Sequence, residues 1–491
     1  MQKVKFIAGA LSALMVLAAV GCAPNANEKS ANTPPGTSAP TGTSDQTLTI
    51  AYSDGGQTLD PAEANDLTSD TLVLATYDQL VTYGTQTVDG RQIAKTDEIK
   101  PMLAKSWDVS PDNLTYTFHL REDAKFQDGN PVTADAVQFS LDHVKNSKVG
   151  SFLYGLMNIK SVTVKDPHTV EIQLNKPNHL FLQMLAMYTF SILDPSVVKA
   201  HGGDYLKDHT AGSGPFQLDK WDPATEADFT ANASYWGGAP KLGHVVLKFI
   251  PDASNRTMLV SKGGVDMAIE IPPQDVDTLK SNPNLLVRSD PSNRILYFAM
   301  NCNVKPFNDP RVRQAIAYAV PYDQLVQDVM HGQANKMTSA VPHNMPGHTD
   351  DGYVYSHDLA KAKELLKEAG YPNGFTFTLT LGSGFQDWKD DAVLMQAELK
   401  KIGVTMNIQN VARAQFLEMQ KQKNLTAFIS KWTSFVNDPG YHLGFLLYSK
   451  GSADYNNYVG SAERVFLRDS TALGLYAVVW RLGLPPNVTR A

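Results

Sequence analysis

The clearest alternation of apolar and polar positions lies between residues 356 and 408. SHDLAKAKELLKEAG (356–370) repeats its apolar residues at helical spacing and ends in a glycine that can terminate the helix. FTFTLTL (375–381) alternates strictly as a strand, a second helix is predicted over about residues 391–402, and VTMNI (404–408) alternates again. Strand, helix and strand joined by short turns predict a right-handed parallel βαβ unit, so we expect an α/β fold here.

The first half of the chain shows short strands separated by helices. QTLTIAYSD (46–54) and LTYTFHL (114–120) alternate as strands. One helix is predicted from about Ser69 to Gly84, and another begins after Thr133, whose hydroxyl suits an N-cap position. No repeat of 20–50 residues is visible, which excludes a solenoid.

The chain opens with a segment typical of protein export. Lys3 and Lys5 precede an uninterrupted apolar run, residues 6–20, which is shorter than the roughly 20 residues that span a bilayer but suits a secretory signal. Its end, LAAVGC (17–22), resembles the lipobox of bacterial lipoproteins, which implies cleavage before Cys22 and attachment of lipid to this cysteine. A plain signal peptide with an incidental cysteine is the alternative, and both interpretations export the protein.

Residues 23–46 are rich in Ser, Thr, Pro, Ala and Gly, and they contain almost no large apolar side chain. Such a segment cannot bury enough surface to offset the entropy of ordering it, so we predict a flexible linker. With the signal removed, the lipidated Cys22 and this linker would hold a large body at a membrane. We therefore expect a protein that is extracytoplasmic, either periplasmic or at the cell surface.

Composition sets the broad class of the protein. A chain of 491 residues suggests about three domains, and 43% hydrophobic with 19% charged residues is ordinary for a globular protein. The net charge of −7 is mild, and no basic run of five or more residues occurs, so we expect no nucleic-acid partner. Two cysteines, Cys22 and Cys302, provide no disulfide framework.

Signatures of covalent catalysis are missing from the sequence. It contains no G-x-S-x-G, H-E-x-x-H, P-loop or G-x-G-x-x-G motif, so we expect neither an enzyme nor a cofactor. The loop VPHNMPGHTDDGY (341–353) carries two histidines and two aspartates. A metal ion is conceivable there, but solvated loop residues are the favoured interpretation, and we predict no metal site.

An ordered set of motifs runs through the body of the chain. TLDPAEANDLTSDTLVLATYDQLVTY is followed by PMLAKSWDVSPDNLTYTFHLREDAKFQDGNPVTADAVQFSLDHV, then by GSGPFQLDKW…NASYW, KGGVDMAIEI and PFNDPRVRQAIAYAVPYDQLV. Together they resemble the family 5 solute-binding proteins of bacterial ABC importers, the peptide/nickel/opine type. The likeness extends from about residue 47 to residue 459.

That resemblance implies a periplasmic-binding-protein-like α/β fold of class II, with two lobes that close on a ligand by hinge bending and an additional inserted domain. Domain I would comprise residues 47–84 and 205–302, domain II residues 85–204, and domain III residues 303–459. It also implies capture of a small molecule or peptide, delivery to an ABC permease, and a monomer held at the membrane by its lipid.

The stretch KWTSFVNDPGY (431–441) resembles a ligand-contacting loop of this family, Trp-x-x-Asp-x-x-Asp-Pro. There the first Asp pairs with the free α-ammonium group of a peptide. Trp432 and Asp438 match the pattern, but Phe435 stands where the first Asp would be, and an ammonium buried without its carboxylate is penalised by several kcal/mol. We therefore do not expect ordinary peptide capture by this route. Two alternatives stay open: Asp438 substitutes after rearrangement of the loop, or Phe435 only packs in the pocket wall without a role in selectivity.

Dipeptide binders of the family also use an arginine in the loop after the first strand of domain III. GSGFQDWKDD (382–391) contains no arginine and presents Phe385 and Trp388 instead. The hypothesis is therefore a less charged ligand with flat or apolar faces, such as a blocked peptide, a glycoside or an aromatic metabolite. The full set of ligand-binding residues that we predict is Trp432, Thr433, Ser434, Phe435, Asp438, Tyr52, Phe385 and Trp388.

The likeness stops after residue 459. Residues 460–491 contain four Arg and no Lys, whereas the preceding 459 residues contain 8 Arg and 31 Lys. This switch in composition favours a frameshifted or misassembled tail over a genuine divergent terminus. Domain I would then lack strands that family members supply from this part of the chain.

Two functions from other classes compete with solute binding. An exported hydrolase would require a nucleophile with a base within reach, and no motif supplies one. A sensor that presents its closed lobes to a membrane receptor would share the same sequence features.

Overall fold

A computed structural model describes residues 44–88, 90–289, 292–351, 355–434, 436–446, 465–470 and 480–481. The predicted signal peptide, Cys22 and most of the linker lie outside the described residues, as does Phe435. Within the described part of the chain, no helix is both long enough and apolar enough to cross a bilayer.

The strands, numbered along the chain, are β1 Ser44–Tyr52, β2 Val81–Val88, β3 Arg91–Pro101, β4 Ala104–Val109, β5 Thr115–Leu120, β6 Ile159–Asp166, β7 Thr169–Leu174, β8 Phe216–Asp222, β9 Glu226–Ala231, β10 Leu242–Phe249, β11 Met267–Ala268, β12 Leu285–Leu286, β13 Arg294–Met300, β14 Ala334–Asn335, β15 Thr376–Gly382, β16 Thr405–Val411, β17 Ala427–Thr433, β18 Val465–Ser470 and β19 Trp480–Arg481.

The helices are α1 Leu67–Thr76, α2 Ala134–Asn146, α3 Gly150–Met157, α4 Phe181–Leu185, α5 Pro195–His201, α6 Ala253–Lys262, α7 Val276–Lys280, α8 Pro310–Ala319, α9 Tyr322–Gln324, α10 Leu359–Glu368, α11 Gln386–Lys401, α12 Arg413–Lys421 and α13 Pro439–Leu446.

Five strands form a mixed sheet in the order β11-β1-β10-β9-β8. In this sheet β1 runs parallel to both β10 and β11, whereas β9 is antiparallel to its two neighbours. Leu48, Ile50 and Tyr52 of β1 bury their side chains in a common core with residues of β9 and β10, as the alternation in the sequence requires. The carboxyl ends of β1, β10 and β11 therefore lie at one edge.

Six strands form a second mixed sheet in the order β14-β18-β13-β17-β15-β16. Here β15 is parallel to β16 and to β17, and β13 is antiparallel to β17. The predicted parallel βαβ unit is confirmed, since β15, α11 and β16 follow one another and the two strands pair side by side. Val404, Leu399 and Trp388 are buried where α11 covers this sheet.

Between β1 and β8 the chain forms a four-stranded antiparallel sheet, β4-β5-β7-β6, and a hairpin, β2-β3. Its core contains Tyr116, Phe118 and Phe181, and α2 packs on β6 and β7. This separate sheet, continuous in sequence, agrees with an insertion into the chain of the five-stranded sheet.

Several predicted element boundaries differ from the structure. Helix α1 ends at Thr76 rather than Gly84, because Tyr77 adopts an extended backbone and the chain enters β2, which contains Gly84. Thr133 stands at the N-cap of α2, but its side chain makes no capping hydrogen bond. Helix α11 begins at Gln386, so Trp388 lies in its first turn and not in a loop.

Domain borders stay a prediction, although the hydrogen bonds bear on one of them. Strand β13 pairs with β17, so Arg294–Met300 belongs to the sheet that contains β15 and β16, whereas we assigned these residues to domain I.

The predicted aberrant tail contributes two described strands. β18 pairs with β13, and β19 pairs with β12. Whether this tail is genuine stays a prediction, but these segments of it do take part in sheet pairing.

Candidate functional site

A cavity of about 1330 Å³ lies where the carboxyl edges of the five-stranded and the six-stranded sheets face each other. Parallel strands end at a common edge, and the segments that follow them converge there, which is where open α/β sheets bind ligands. The volume exceeds that of a typical small-molecule pocket, roughly 300–1000 Å³. The space is therefore sufficient for a short peptide or a compound of that size with water.

One wall comes from the six-stranded sheet. Phe385 and Trp388 follow the end of β15, and Lys431 is near the end of β17. Arg294 is the first residue of β13, which is antiparallel to β17 and so begins at the same edge. The sheet topology thus brings four residues from three distant parts of the chain to one wall of the cavity.

The opposite wall comes from the five-stranded sheet. Ser53 and Asp54 directly follow β1, Asp252 follows β10, and Glu270 follows β11. This wall is acidic. Across the whole cavity, the lining residues that the structure describes include six carboxylates but only two permanently basic side chains, Arg294 and Lys431.

Phe385 and Trp388 form a stack with ring centroids 4.1 Å apart and planes inclined by 16°. The guanidinium carbon of Arg413, at the start of α12, lies 5.1 Å from the centroid of Phe385 and 5.5 Å from that of Trp388. Trp388 is fully buried, whereas Phe385 is half-buried and lines the cavity. The stack is therefore a cation–π assembly that supports the wall formed by the six-stranded sheet.

Lys431 places its ammonium group 4.7 Å from the centroid of Phe385. Burial lowers the pKa of Lys431 to about 8, and repulsion from Arg294 adds to the effect. Arg294 directs its Nε to the Thr433 hydroxyl at 3.3 Å, on the strand that carries Lys431. Lys431 thus carries its charge in a poorly hydrated place, on the strand paired with that of Arg294, and this disfavours its charged form.

Arg256 holds the acidic wall together. This buried guanidinium donates from Nε to the Ile269 carbonyl at 3.1 Å, from Nη1 to the carbonyls of Ile250 and Pro251 at 2.7 and 2.9 Å, and from Nη2 to the Glu270 carbonyl at 2.8 Å. It therefore connects the segments that follow β10 and β11. Glu270 adopts the left-handed region with φ 54°, and this hydrogen bond restrains it there.

Of the predicted ligand-binding residues, Phe385 and Trp388 border this cavity, and because Trp388 is buried, only Phe385 presents an accessible face to a ligand. Tyr52 is buried in the core of the five-stranded sheet, directly before the lining residue Ser53. Trp432 and Thr433 are the last residues of β17 and half-buried, and neither lines the cavity. A ligand contact of these residues remains a prediction.

The remaining two predicted residues in this stretch have other partners. Ser434 is buried, with its hydroxyl 2.8 Å from Nδ1 of His442. Asp438 accepts from the backbone N–H groups of Gly440 and Tyr441 at 2.7 and 3.1 Å in the first turn of α13, and it lies 3.5 Å from Nε2 of His179. Its carboxylate is engaged in these contacts, so substitution for the missing first Asp would require their release.

Reasoning from the sequence missed Lys431, Arg294, Arg413 and Glu270. The loop 382–391 does lack an arginine, but Arg294 of β13 and Lys431 of β17 line the cavity, and Arg413 of α12 lies beside the stack of Phe385 and Trp388. A signal for Lys431 was present, since one lysine follows the mostly apolar residues AFIS of β17, next to Trp432. Arg294 and Glu270 carry no such local signal.

Comparison with known families matches residues 98–454 to the model of bacterial extracellular solute-binding proteins, family 5. The probable D,D-dipeptide-binding periplasmic protein DdpA of Escherichia coli is 31% identical over 397 residues, 80% of this chain and 75% of its relative. The glutathione-binding protein GsiB of Salmonella typhimurium is 32% identical over 410 residues, 82% of this chain and 78% of that one.

Among solved structures, the periplasmic binding protein DppA of Helicobacter pylori, in complex with the peptide STSA, is similar to this chain. Its TM-score is 0.77 at 28% sequence identity, over 88% of this chain and 93% of that one. The predicted class II binding-protein fold is thereby confirmed, and the family and its structural neighbours are binding proteins.

Proposed function

The chain belongs to the bacterial extracellular solute-binding proteins of family 5, and we propose that it captures a short, peptide-like zwitterion between its two facing sheets and delivers it to an ABC permease. Capture would occur by closure of the two walls on the ligand. The ligand would shift the protein toward the closed state because it binds that state more tightly than the open one. No step of this function makes or breaks a covalent bond.

The observation that carries this proposal is the environment of Lys431. Burial lowers its pKa to about 8 despite the attraction of Glu270 and Asp387, so its charged form is disfavoured in the ligand-free protein. A ligand carboxylate between Lys431 and Arg294 would offset this desolvation with a charge-assisted hydrogen bond.

The acidic wall supports the second half of the proposal. Asp54, Asp252 and Glu270 face Lys431 and Arg294 across the cavity and suit a ligand ammonium group. Relatives named for a D,D-dipeptide and for glutathione take ligands of this chemistry. The zwitterion replaces our hypothesis of a less charged ligand, which assumed that the anchors had been replaced by aromatic residues alone.

Other features of the proposal come from the sequence and the family. The protein would be extracytoplasmic and anchored through lipid on Cys22, would act as a monomer, and would need neither cofactor nor nucleic acid. Its partners would be the permease subunits of the importer.

Native mass spectrometry and calorimetry test the proposed function. Ligand released from protein purified without denaturation is identified, and a D,D-dipeptide and the peptide Ser-Thr-Ser-Ala are titrated as free acids and as C-terminal amides. We expect at least one free acid to bind. Its C-terminal amide should bind at least about 30-fold more weakly than the acid. Equal affinity for acid and amide, or a released ligand without a carboxylate, would refute the proposal.

Ligand affinity should fall as the pH rises above about 8. Lys431 loses its proton there in the free protein, and a bound carboxylate would raise its pKa again, so binding must take up a proton. We expect a loss of up to tenfold per pH unit between pH 8 and 10. The Lys431→Arg variant stays charged over this range, so its affinity should not show the part of the pH dependence that comes from deprotonation of Lys431. Titration of the ligand's own ammonium group affects both proteins. Identical pH profiles of the two proteins would contradict the role of Lys431.

A further inference from the structure

The loop that follows β14 brings together two histidines and an aspartate outside the cavity. Side-chain donor atoms of His343, His348 and Asp350 all lie within 4.8 Å of one another. Nε2 of His348 is 3.2 Å from Oδ1 of Asp350, and Nε2 of His343 is 3.9 Å from the same oxygen. Donors bound to one tetrahedral zinc ion at about 2.0–2.1 Å are roughly 3.3 Å apart, so the pair of His348 and Asp350 is already at that separation and the other donors would move inward by up to about 1.5 Å.

The hydrogen bonds of His348 fix which of its nitrogens faces this group. Nδ1 lies 2.7 Å from the Val341 carbonyl, an acceptor only, so Nδ1 carries the proton and donates it. Nε2 of the neutral ring then has a lone pair and points at a carboxylate oxygen, another acceptor. Two acceptors at 3.2 Å repel each other unless a cation or a second proton lies between them.

The surroundings resemble the outer shell of a metal site. The Thr338 hydroxyl donates to Oδ1 of Asp350 at 3.0 Å, and the carbonyl bond to Nδ1 orients the ring of His348. Such second contacts position metal ligands and raise their basicity. His348 is mostly buried, whereas the side chain of Asp350 is 79% exposed, which leaves the coordination sphere accessible to water.

We propose that His343, His348 and Asp350 bind one divalent transition-metal ion of the Zn²⁺ or Ni²⁺ type, with water in the remaining positions. Two imidazoles and one carboxylate favour these ions over Mg²⁺ or Ca²⁺, which prefer oxygen ligands. The sequence favoured solvated loop residues because the spacing H-x4-H-x-D is not a helical metal motif; the folding of the loop brings the donors together instead. This site is independent of the ligand cavity and of the proposed function.

Titration of metal-stripped protein with Zn²⁺, and with Co²⁺ followed by its visible absorption, tests the site. We expect one high-affinity equivalent. His348→Ala and Asp350→Asn should each weaken it at least about 100-fold, and Thr338→Val about 10- to 100-fold through the outer shell. His209→Ala is a matched control, because His209 also faces a carboxylate, Asp208 at 2.7 Å, but belongs to no such cluster, and it should leave binding unchanged.

Circular dichroism of each variant shows whether it is folded. Absence of a stoichiometric equivalent in the parent protein, or an equivalent that survives both His348→Ala and Asp350→Asn in folded variants, would overturn the proposal. If the parent protein bound no stoichiometric metal ion, the contact between His348 and Asp350 would be an imidazolium–carboxylate ion pair. Loss of metal binding in His348→Ala and Asp350→Asn, with normal metal binding in His209→Ala, would support the site.

Discussion

Replacement of Lys431 by methionine should weaken binding of a carboxylate ligand by roughly 30- to 4000-fold, because loss of one partner in a desolvated charge pair is worth about 2–5 kcal/mol. The same change should stabilise the ligand-free protein. A pKa lowered from 10.5 to about 8 corresponds to a destabilisation on the order of 3 kcal/mol at neutral pH, and methionine removes the buried charge while filling its space. The stabilising effect should shrink above pH 8 and be mostly lost by about pH 10.5, where Lys431 is neutral in the folded protein and half neutral in the unfolded chain.

Calorimetric titration with the free acid and its amide, together with thermal melts of the ligand-free proteins, measures both effects. Lys400→Met, at an exposed position near the end of α11, is the matched control and should change neither quantity. Opposite signs for affinity and stability distinguish a binding residue from a structural one. A Lys431→Met variant that loses stability and binds the acid normally would contradict the assignment.

Replacement of Arg256 by methionine should give the largest loss of stability among the changes considered. Four backbone carbonyls lose their hydrogen-bond donor. A hydrogen bond to a charged group contributes about 1.5–3 kcal/mol to stability, but bonds made by one guanidinium do not add fully. We expect a net loss of about 3–5 kcal/mol and faster hydrogen exchange after β10 and β11. Arg256→Lys should recover only part of it, since an ammonium group cannot reproduce the planar fork.

Arg311→Met is the control for Arg256. Arg311 also donates to a backbone carbonyl, that of Glu368 at 2.8 Å, and pairs with Asp309, but it is exposed, so the expected loss is below about 1 kcal/mol. Denaturant unfolding and hydrogen exchange measure the difference. Equal losses in the two variants would show that Arg256 is not a special support of the acidic wall.

Periodicity was sufficient for elements whose pattern alternates or repeats. The βαβ unit from β15 to β16 was predicted because each of its elements repeats apolar residues on one face. The parallel pairing of β15 with β16 confirms it. The end of α1 was not predictable in this way, because Tyr77, Leu80 and Val81 keep the helical spacing i, i+3, i+4 and equally fit a buried strand. Packing against the hairpin, which is a tertiary effect, decides between them.

The candidate site was only partly accessible to sequence reasoning. Phe385 and Trp388 were found through resemblance to a family loop, and both line the cavity. Arg294 could not be found, because its position depends on the antiparallel pairing of β13 with β17, about 140 residues later in the chain. Charges that meet through sheet topology leave no mark in a local stretch of sequence.

The position of the ligand-facing side chains just beyond strand ends has a practical consequence. In the segments after β1, β10 and β11, the lining residues Ser53, Asp54, Asp252 and Glu270 belong to none of the buried apolar clusters that hold these strands. A combinatorial library restricted to these segments could therefore change what the protein recognises while leaving the scaffold intact. A fluorophore on either edge would convert such variants into reporters of the new analyte.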